Sequence, residues 1–200
     1  MSKLLPTIAV GVGGTAVIGG VGGYLLSTQN TKTIKETFNE AIINFETEDK
    51  LVKEKLKKLK DATDLSEKSI FKVAQVAEKK TTDSGLAEFK KACTKIYDSN
   101  FTKKDSETFN NFKDYCARTI KDKVTTEKWA STDANWENRL TKLKNNNPRP
   151  LSETLTKLPK KSNVDKEALQ RWCTNAESLV FEGESNLDFK DAQAYCGKAD

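Results

Sequence analysis

The chain has 200 residues, a net charge of +5 and no histidine, and charged side chains make up 32% of it. Without histidine, Ser-His and Cys-His nucleophile pairs are excluded, and the commonest zinc and haem ligand is missing. Lysines alternate with acidic residues instead of clustering, which is typical of a solvated helical surface and not of a nucleic-acid-binding face. We therefore expect a non-enzymatic protein that binds no nucleic acid and holds no metal or cofactor.

An uncharged apolar stretch of 23 residues, 4–26, lies between Lys3 and Lys32. As a helix it reaches roughly 34 Å, enough to cross a hydrocarbon core of about 30 Å. It predicts a single transmembrane helix, residues 1–27, that anchors the chain in the lipid bilayer. A cleaved signal peptide is the alternative, although Val21 and Gly23 match a cleavage site only weakly.

Small residues recur every four positions along this stretch, at Gly11, Thr15, Gly19 and Gly23. The spacing lines one helix face with small side chains, where two backbones can approach closely in lipid. The pattern is compatible with a homodimer formed through the membrane helix, although such patterns are common in apolar helices. A single span whose glycines only keep the helix narrow is the alternative.

Apolar residues then return at alternating steps of four and three, which predicts one amphipathic helix of about thirty residues. They are Ile34, Phe38, Ile42, Phe45, Val52, Leu56 and Leu59. We interpret residues 28–62 as an amphipathic stalk helix, which we expect to pack against the domain's own helices.

Helical spacing continues beyond the stalk. Asp64 and Glu67 have the spacing of a capping box and predict a short helix that starts there. The following helix carries Cys93, and the one after it carries apolar residues at helical spacing, Phe109, Phe112, Cys116 and Ile120. Apart from a weak strand pattern at 179–182, the fold class is predicted to be mainly all-α.

The second half of the chain resembles the first. At a constant offset of 80, the matched residues are Phe89 and Leu169, Cys93 and Cys173, Thr94 and Thr174, Phe101 and Phe181, Phe109 and Phe189, Tyr115 and Tyr195, and Cys116 and Cys196. We interpret this as an internal duplication that gives a first helical repeat at 63–125 and a second at 126–200. The chain is thus predicted to be a transmembrane helix followed by a helical domain of two cysteine-containing units.

Four cysteines allow three disulfide connectivities. The repeat favours Cys93 with Cys116 and Cys173 with Cys196, each pair joining two consecutive helices of one unit. Such bridges require an oxidising compartment. Four reduced cysteines packed on helix faces and a four-cysteine zinc site are the alternatives, although the paired C-x2-C spacing of zinc knuckles is absent.

Several short motifs carry a resemblance to a known group of proteins. A Met-Ser-Lys start before a Gly-rich apolar span, Trp-Glu-Asn-Arg-Leu at 136–140, Arg-Trp-Cys-Thr at 171–174 and Tyr-Cys at 195–196 resemble uncharacterised paralogous families of haemotropic mycoplasmas. The resemblance implies a membrane-associated protein from an expanded, variable set, with a surface role. It supplies no catalytic residue and no ligand.

Together these features predict a single-pass protein of the cell membrane with an extracellular C-terminal domain. Its function would be display of polar loops, at 98–104, 145–150 and 182–186, towards host proteins or antibodies. The rival hypothesis is a structural scaffold that faces the cytoplasm and is tethered by a dimerising helix.

Overall fold

Short helices joined by turns make up the part of the chain that the computed structural model describes, residues 31–124, 129–130, 135–145, 150–158 and 166–197. Polar side chains begin several of them, because the oxygens of Thr33, Ser106, Ser152 and Asn186 each accept a hydrogen bond from a first-turn backbone N–H. In chain order the helices are α1 (Ile34–Thr37), α2 (Asp49–Asp61), α3 (Lys72–Lys80), α4 (Leu86–Tyr97), α5 (Glu107–Asn111), α6 (Ile120–Lys123), α7 (Trp136–Asn145), α8 (Glu153–Thr156), α9 (Lys166–Ala176) and α10 (Leu187–Tyr195). A 3₁₀ turn, Asn39–Ala41, follows α1, and a π-helical turn, Phe112–Cys116, continues α5.

The prediction of a mainly all-α fold is confirmed for the described residues, which contain no β-strand. Extended backbone pairs there only as isolated antiparallel bridges, namely Thr33 with Asn100, Ile42 with Ala117, Thr119 with Val180, and Trp129 with Gly197. The weak strand pattern at 179–182 therefore contributes a single bridge and not a strand. None of the described helices is long and apolar enough to cross a bilayer.

Aromatic rings fill the first hydrophobic core, which is built mainly from α1 to α5 and the π-helical turn. The ring of Phe38 lies 5.1 Å from that of Phe101, 5.2 Å from that of Phe109 and 5.7 Å from that of Phe112, measured between centroids. Val180, much later in the chain, is buried in the same core. The second half of the chain thus contributes to the packing of the first.

A second core begins at Ile120 and is built from α6 to α10. Leu143, Leu155 and Leu169 are each completely buried in it. The rings of Phe181 and Phe189 meet edge to face, with centroids 4.9 Å apart. Each buried side chain of this size contributes roughly 1.5–3 kcal/mol, so the second half also has a core of its own.

The single helix predicted within residues 28–62 is not formed. Helix α1 stops at Phe38, whose φ of −123° and ψ of 42° are not helical. Ile42 is extended and bridges Ala117, and the side chain of Asn44 closes a turn before α2 begins. The apolar residues that suggested one helix are buried, or partly buried in the case of Ile42 and Phe45, but they lie on separate elements because this extended pairing interrupts the helix.

Two other helix predictions need correction. The segment from Asp64 to Phe71 forms turns, with the Ser66 hydroxyl accepting a hydrogen bond from a backbone N–H two residues on, and α3 begins only afterwards. Ile120 does not continue the helix of Phe109. The backbone becomes extended at Ala117, so Ile120 starts α6 and lies in the second core.

Candidate functional site

The structure forms both cystine bridges that the repeat favours. Cys93 is bonded to Cys116, with an S–S distance of 2.01 Å and Cα atoms 5.4 Å apart. Cys173 is bonded to Cys196, with an S–S distance of 2.06 Å and again 5.4 Å between Cα atoms. All four cysteines are buried and none is free. The first bridge joins α4 to the π-helical turn, and the second joins α9 to the end of α10.

In each unit a buried polar side chain donates hydrogen bonds to backbone carbonyl oxygens at or next to the second cysteine of the disulfide. In the first unit, the Tyr97 hydroxyl donates to the carbonyl oxygen of Cys116 at 2.7 Å. Burial raises the pKa of Tyr97 well above its ordinary value, which keeps the hydroxyl in its neutral, donating form. In the second unit, Arg139 donates to the carbonyl oxygens of Tyr195 at 2.7 Å and Gly197 at 2.5 Å.

The same pattern of backbone hydrogen bonds occurs twice. The N–H of Ile34 donates to the carbonyl oxygen of Ser99 at 2.9 Å, and the N–H of Ile120 donates to the carbonyl oxygen of Leu179 at 2.8 Å. Phe101 and Phe181, which are 80 residues apart, also donate through their backbone N–H groups. Phe101 donates to the carbonyl oxygen of Lys32 at 2.9 Å, and Phe181 donates to that of Arg118 at 3.0 Å. Each cystine-bridged helix pair is therefore joined in the same way to the short helix that precedes it.

Matching capping boxes begin these two short helices. The Glu36 carboxylate accepts the backbone N–H of Thr33 at 2.7 Å, and the Asp122 carboxylate accepts that of Thr119 at 2.8 Å. The hydrogen bonds from Thr33 lower the pKa of Glu36. The two carboxylates differ in surroundings, since Asp122 also binds Lys55 of α2 at 2.8 Å.

Salt bridges connect α2 and the loop before it with residues 118–122, which lead into the second core. The side chains of Lys55 and Asp122 are only 10% and 18% exposed. Arg118 binds the Glu48 carboxylate through two nitrogens and donates to the carbonyl oxygen of Glu40 at 3.0 Å. The hydrogen bond from Arg118 is the main reason that the pKa of Glu48 lies below its ordinary value. Arg118 thus fixes the segment that leads into the second core on the loop before α2, and we call these contacts of Lys55, Arg118 and Asp122 the junction.

Two of the predicted display loops contact each other. Lys104, in the loop at 98–104, binds Glu182, in the loop at 182–186, with 2.7 Å between nitrogen and oxygen. Phe101 in the first loop is packed against the first core. These loops therefore carry structural contacts as well as exposed polar groups. The third loop, at 145–150, lies largely outside the described residues.

The small residues of the predicted membrane helix, Gly11, Thr15, Gly19 and Gly23, lie outside the described residues, as does the whole span at 4–26. In the described part of the chain, no group of three or more Cys, Asp or Glu side chains is arranged to hold a metal ion.

Sequence reasoning missed the residues of the junction, Lys55, Arg118 and Asp122. A usable signal was present, because Thr33 and Glu36 have the spacing of a capping box and so do Thr119 and Asp122. The ion pairs themselves left no such signal, since lysines and acidic residues alternate throughout the chain.

The fold and its bridges define a helical domain with two hydrophobic cores, each crosslinked by a buried disulfide. No protein-family model matches the chain, and no curated protein or solved structure is significantly similar to it.

Proposed function

We propose that this chain is a non-enzymatic surface protein, anchored in the membrane by residues 1–27, whose helical ectodomain is displayed towards host molecules or antibodies. The observation that carries the proposal is the pair of buried disulfides, Cys93–Cys116 and Cys173–Cys196, at corresponding places in the fold. Disulfides form and persist outside the reducing cytosol. A domain stabilised by two of them suits an exported protein.

The two units arose, in this proposal, by internal duplication. Equal cysteine separations of 23 residues, matching capping boxes and matching backbone hydrogen bonds support it. Chance similarity in a Lys-rich chain accounts poorly for hydrogen bonds that recur together with the cysteine spacing. Duplication also explains why the units share a plan while their connecting loops differ in length.

Display is the mechanism that best fits the surface. Charged side chains cover the helices and pair locally, as in Lys53 with Asp49 and Lys157 with Glu153. Such exposed pairs contribute little to stability, so surface positions can vary at small cost to the fold. The resemblance to variable, membrane-associated families of haemotropic mycoplasmas supports the same function.

Protease shaving of intact cells tests this proposal. Cells that produce the chain are treated with a broad-specificity protease and probed with an antibody against the C-terminal unit, before and after lysis. Loss of the signal from intact cells, while a cytoplasmic marker stays uncut, is the expected result. A domain that is cut only after lysis would contradict surface display and favour the scaffold that faces the cytoplasm.

A further inference from the structure

An apolar surface covers the outer side of α3. Val73 and Val76, three residues apart on α3, are 64% and 42% exposed and lie on one side of the helix, and Ile70, in the turn just before the helix, is 40% exposed. We call these three residues the α3 face. Isolated exposed apolar side chains are common, whereas a contiguous group marks a contact surface.

The α3 face is fixed in place by the buried polar side of the same helix. The Gln75 amide donates to the carbonyl oxygens of Leu59 at 3.0 Å and Ala62 at 2.7 Å. The Glu78 carboxylate accepts the backbone N–H groups of Asp83 at 3.0 Å and Gly85 at 3.2 Å. Because these bonds hold α3 against α2 and the turn before α4, the apolar face is held outward.

Lysines surround the α3 face. Lys72 and Lys80 line one hollow with Val73 and Val76, while Lys68, Lys95 and the single carboxylate of Glu107 line a second hollow with Ile70. Lys72 is paired with Glu67 at 2.7 Å, whereas Lys68, Lys80 and Lys95 are exposed. Aliphatic side chains ringed by ammonium groups suit a partner that is both apolar and anionic.

The Ile70 end of the α3 face lies beside the start of the described domain. Lys68 and Ile70 share their hollow with Ser99, and the carbonyl oxygen of Ser99 accepts the backbone N–H of Ile34 at 2.9 Å. Between the predicted anchor and Ile34 run only residues 28–33, which span at most roughly 20 Å when fully extended. A chain anchored in this way keeps the face within reach of a bilayer.

We propose that the α3 face docks on anionic phospholipids of the membrane that holds the anchor, an inference that rests on the anchor of the proposed function. Val73 and Val76 enter the headgroup boundary, and Lys68, Lys80 and Lys95 approach lipid phosphates. This contact orients the ectodomain relative to the membrane.

The test uses the full chain, oxidised and reconstituted into vesicles, with an environment-sensitive fluorophore on the single new thiol of Val73→Cys. The native cysteines do not react, because all four are in buried disulfides. Leu187→Cys is the matched control, since Leu187 is an exposed apolar residue on another helix, 37% exposed. Vesicles are made of phosphatidylcholine alone or with phosphatidylglycerol, each containing a lipid that quenches fluorescence in the headgroup region.

Docking predicts that the probe at position 73 is quenched and shifted to the blue in vesicles with phosphatidylglycerol, and much less in phosphatidylcholine alone. Replacing Lys68, Lys80 or Lys95 by Gln should lower the ratio of docked to undocked chain about fivefold for each lysine. The probe at position 187 should respond to neither lipid. Equal signals at both positions, or no quenching at position 73, would overturn the proposal.

Carbonate extraction of the same vesicles separates this proposal from the anchor. If the chain resists extraction while the probe at position 73 stays unquenched, the anchor stands and docking is wrong. If the chain is released at alkaline pH but position 73 is quenched by anionic vesicles at neutral pH, the face binds lipid and the anchor is wrong. A face that binds an acidic protein instead of lipid leaves position 73 unquenched.

Discussion

Removing one disulfide at a time tests how the two units are stabilised. The first variant replaces Cys93 and Cys116 by Ala, and the second replaces Cys173 and Cys196 by Ala. Each variant opens one covalent loop and leaves the other closed. The sequence separation is 23 residues in both bridges, so the two loops constrain the unfolded chain equally.

Each pair of substitutions should lower the free energy of unfolding by about 3 kcal/mol, the chain-entropy value for a loop of this length. For a domain of this size, that loss corresponds to a fall in melting temperature of roughly 6–12 °C. Because the loops are equal, the two losses should agree within about 1 kcal/mol. Replacing a buried cysteine by Ala also removes some packing. The free energy of unfolding of the reduced wild-type chain, which keeps its cysteines but has no disulfide, is measured to correct for this loss of packing.

The assay is urea unfolding of the full chain in detergent, followed by far-ultraviolet circular dichroism and by tryptophan fluorescence. All three tryptophans, at positions 129, 136 and 172, lie in the second half of the chain, so their fluorescence reports on that unit while circular dichroism reports on both. A variant that unfolds at the wild-type urea midpoint would refute the reasoning. So would reduced wild-type chain that keeps the midpoint of the oxidised form.

Three single substitutions test other parts of the account. Gly85→Ala should lower the free energy of unfolding by at least about 2 kcal/mol in urea, because an added Cβ lies 2.3 Å from the carbonyl oxygen of Ala74. Arg139→Met should cost about 2 kcal/mol by the same measurement, since two carbonyl groups beside the second disulfide lose their donor. Glu48→Gln should lower the free energy of unfolding at neutral pH, and this loss should become smaller as the pH falls. The bond from Arg118 lowers the pKa of Glu48 below 4.5, so its contribution is present above that value and lost as the pH falls through the lower, folded-state pKa.

Matched variants control for these changes. Arg171→Met removes an exposed guanidinium and Glu54→Gln removes an exposed carboxylate, so both should leave the urea midpoint nearly unchanged. Equal effects of Arg139→Met and Arg171→Met would show that the carbonyl contacts do not matter. A Glu48→Gln loss that is the same at every pH would contradict the role of the ion pair.

The helices that carry cysteines were predictable from the sequence. Cys93 on α4 and Cys173 on α9 lie on apolar stripes at helical spacing, and the offset of 80 residues selects their partners. This information is local or repeated, so it is visible without a structure. The cystine pairing of the candidate site followed directly from it.

The helix breaks were not predictable from apolar spacing. Ile34 and Val52 fit one helical pattern, yet the bridge between Ile42 and Ala117 interrupts it through a contact distant in sequence. The same bridge ends the helix before Ile120. Periodicity records which side chains are buried, but it does not record which backbone groups find partners elsewhere in the chain.

The junction was hidden for a related reason. Lys55 is one of many lysines at helical spacing, and only the fold shows that its ammonium group meets Asp122. Arg118 is likewise indistinguishable in sequence from a solvated basic residue. The contribution of a charged side chain to stability depends on how deeply it is buried and on which group it pairs with. Both are decided by tertiary contacts.

The central claim is that both disulfides exist in the cell, and counting free thiols tests it most directly. The chain is taken from its native membrane, denatured without reduction, alkylated and weighed. The account predicts that none of the four cysteines is alkylated, and that all four react once the chain has been reduced. Four alkylated cysteines before reduction would contradict it and place the domain in a reducing compartment, where the scaffold that faces the cytoplasm becomes the better account.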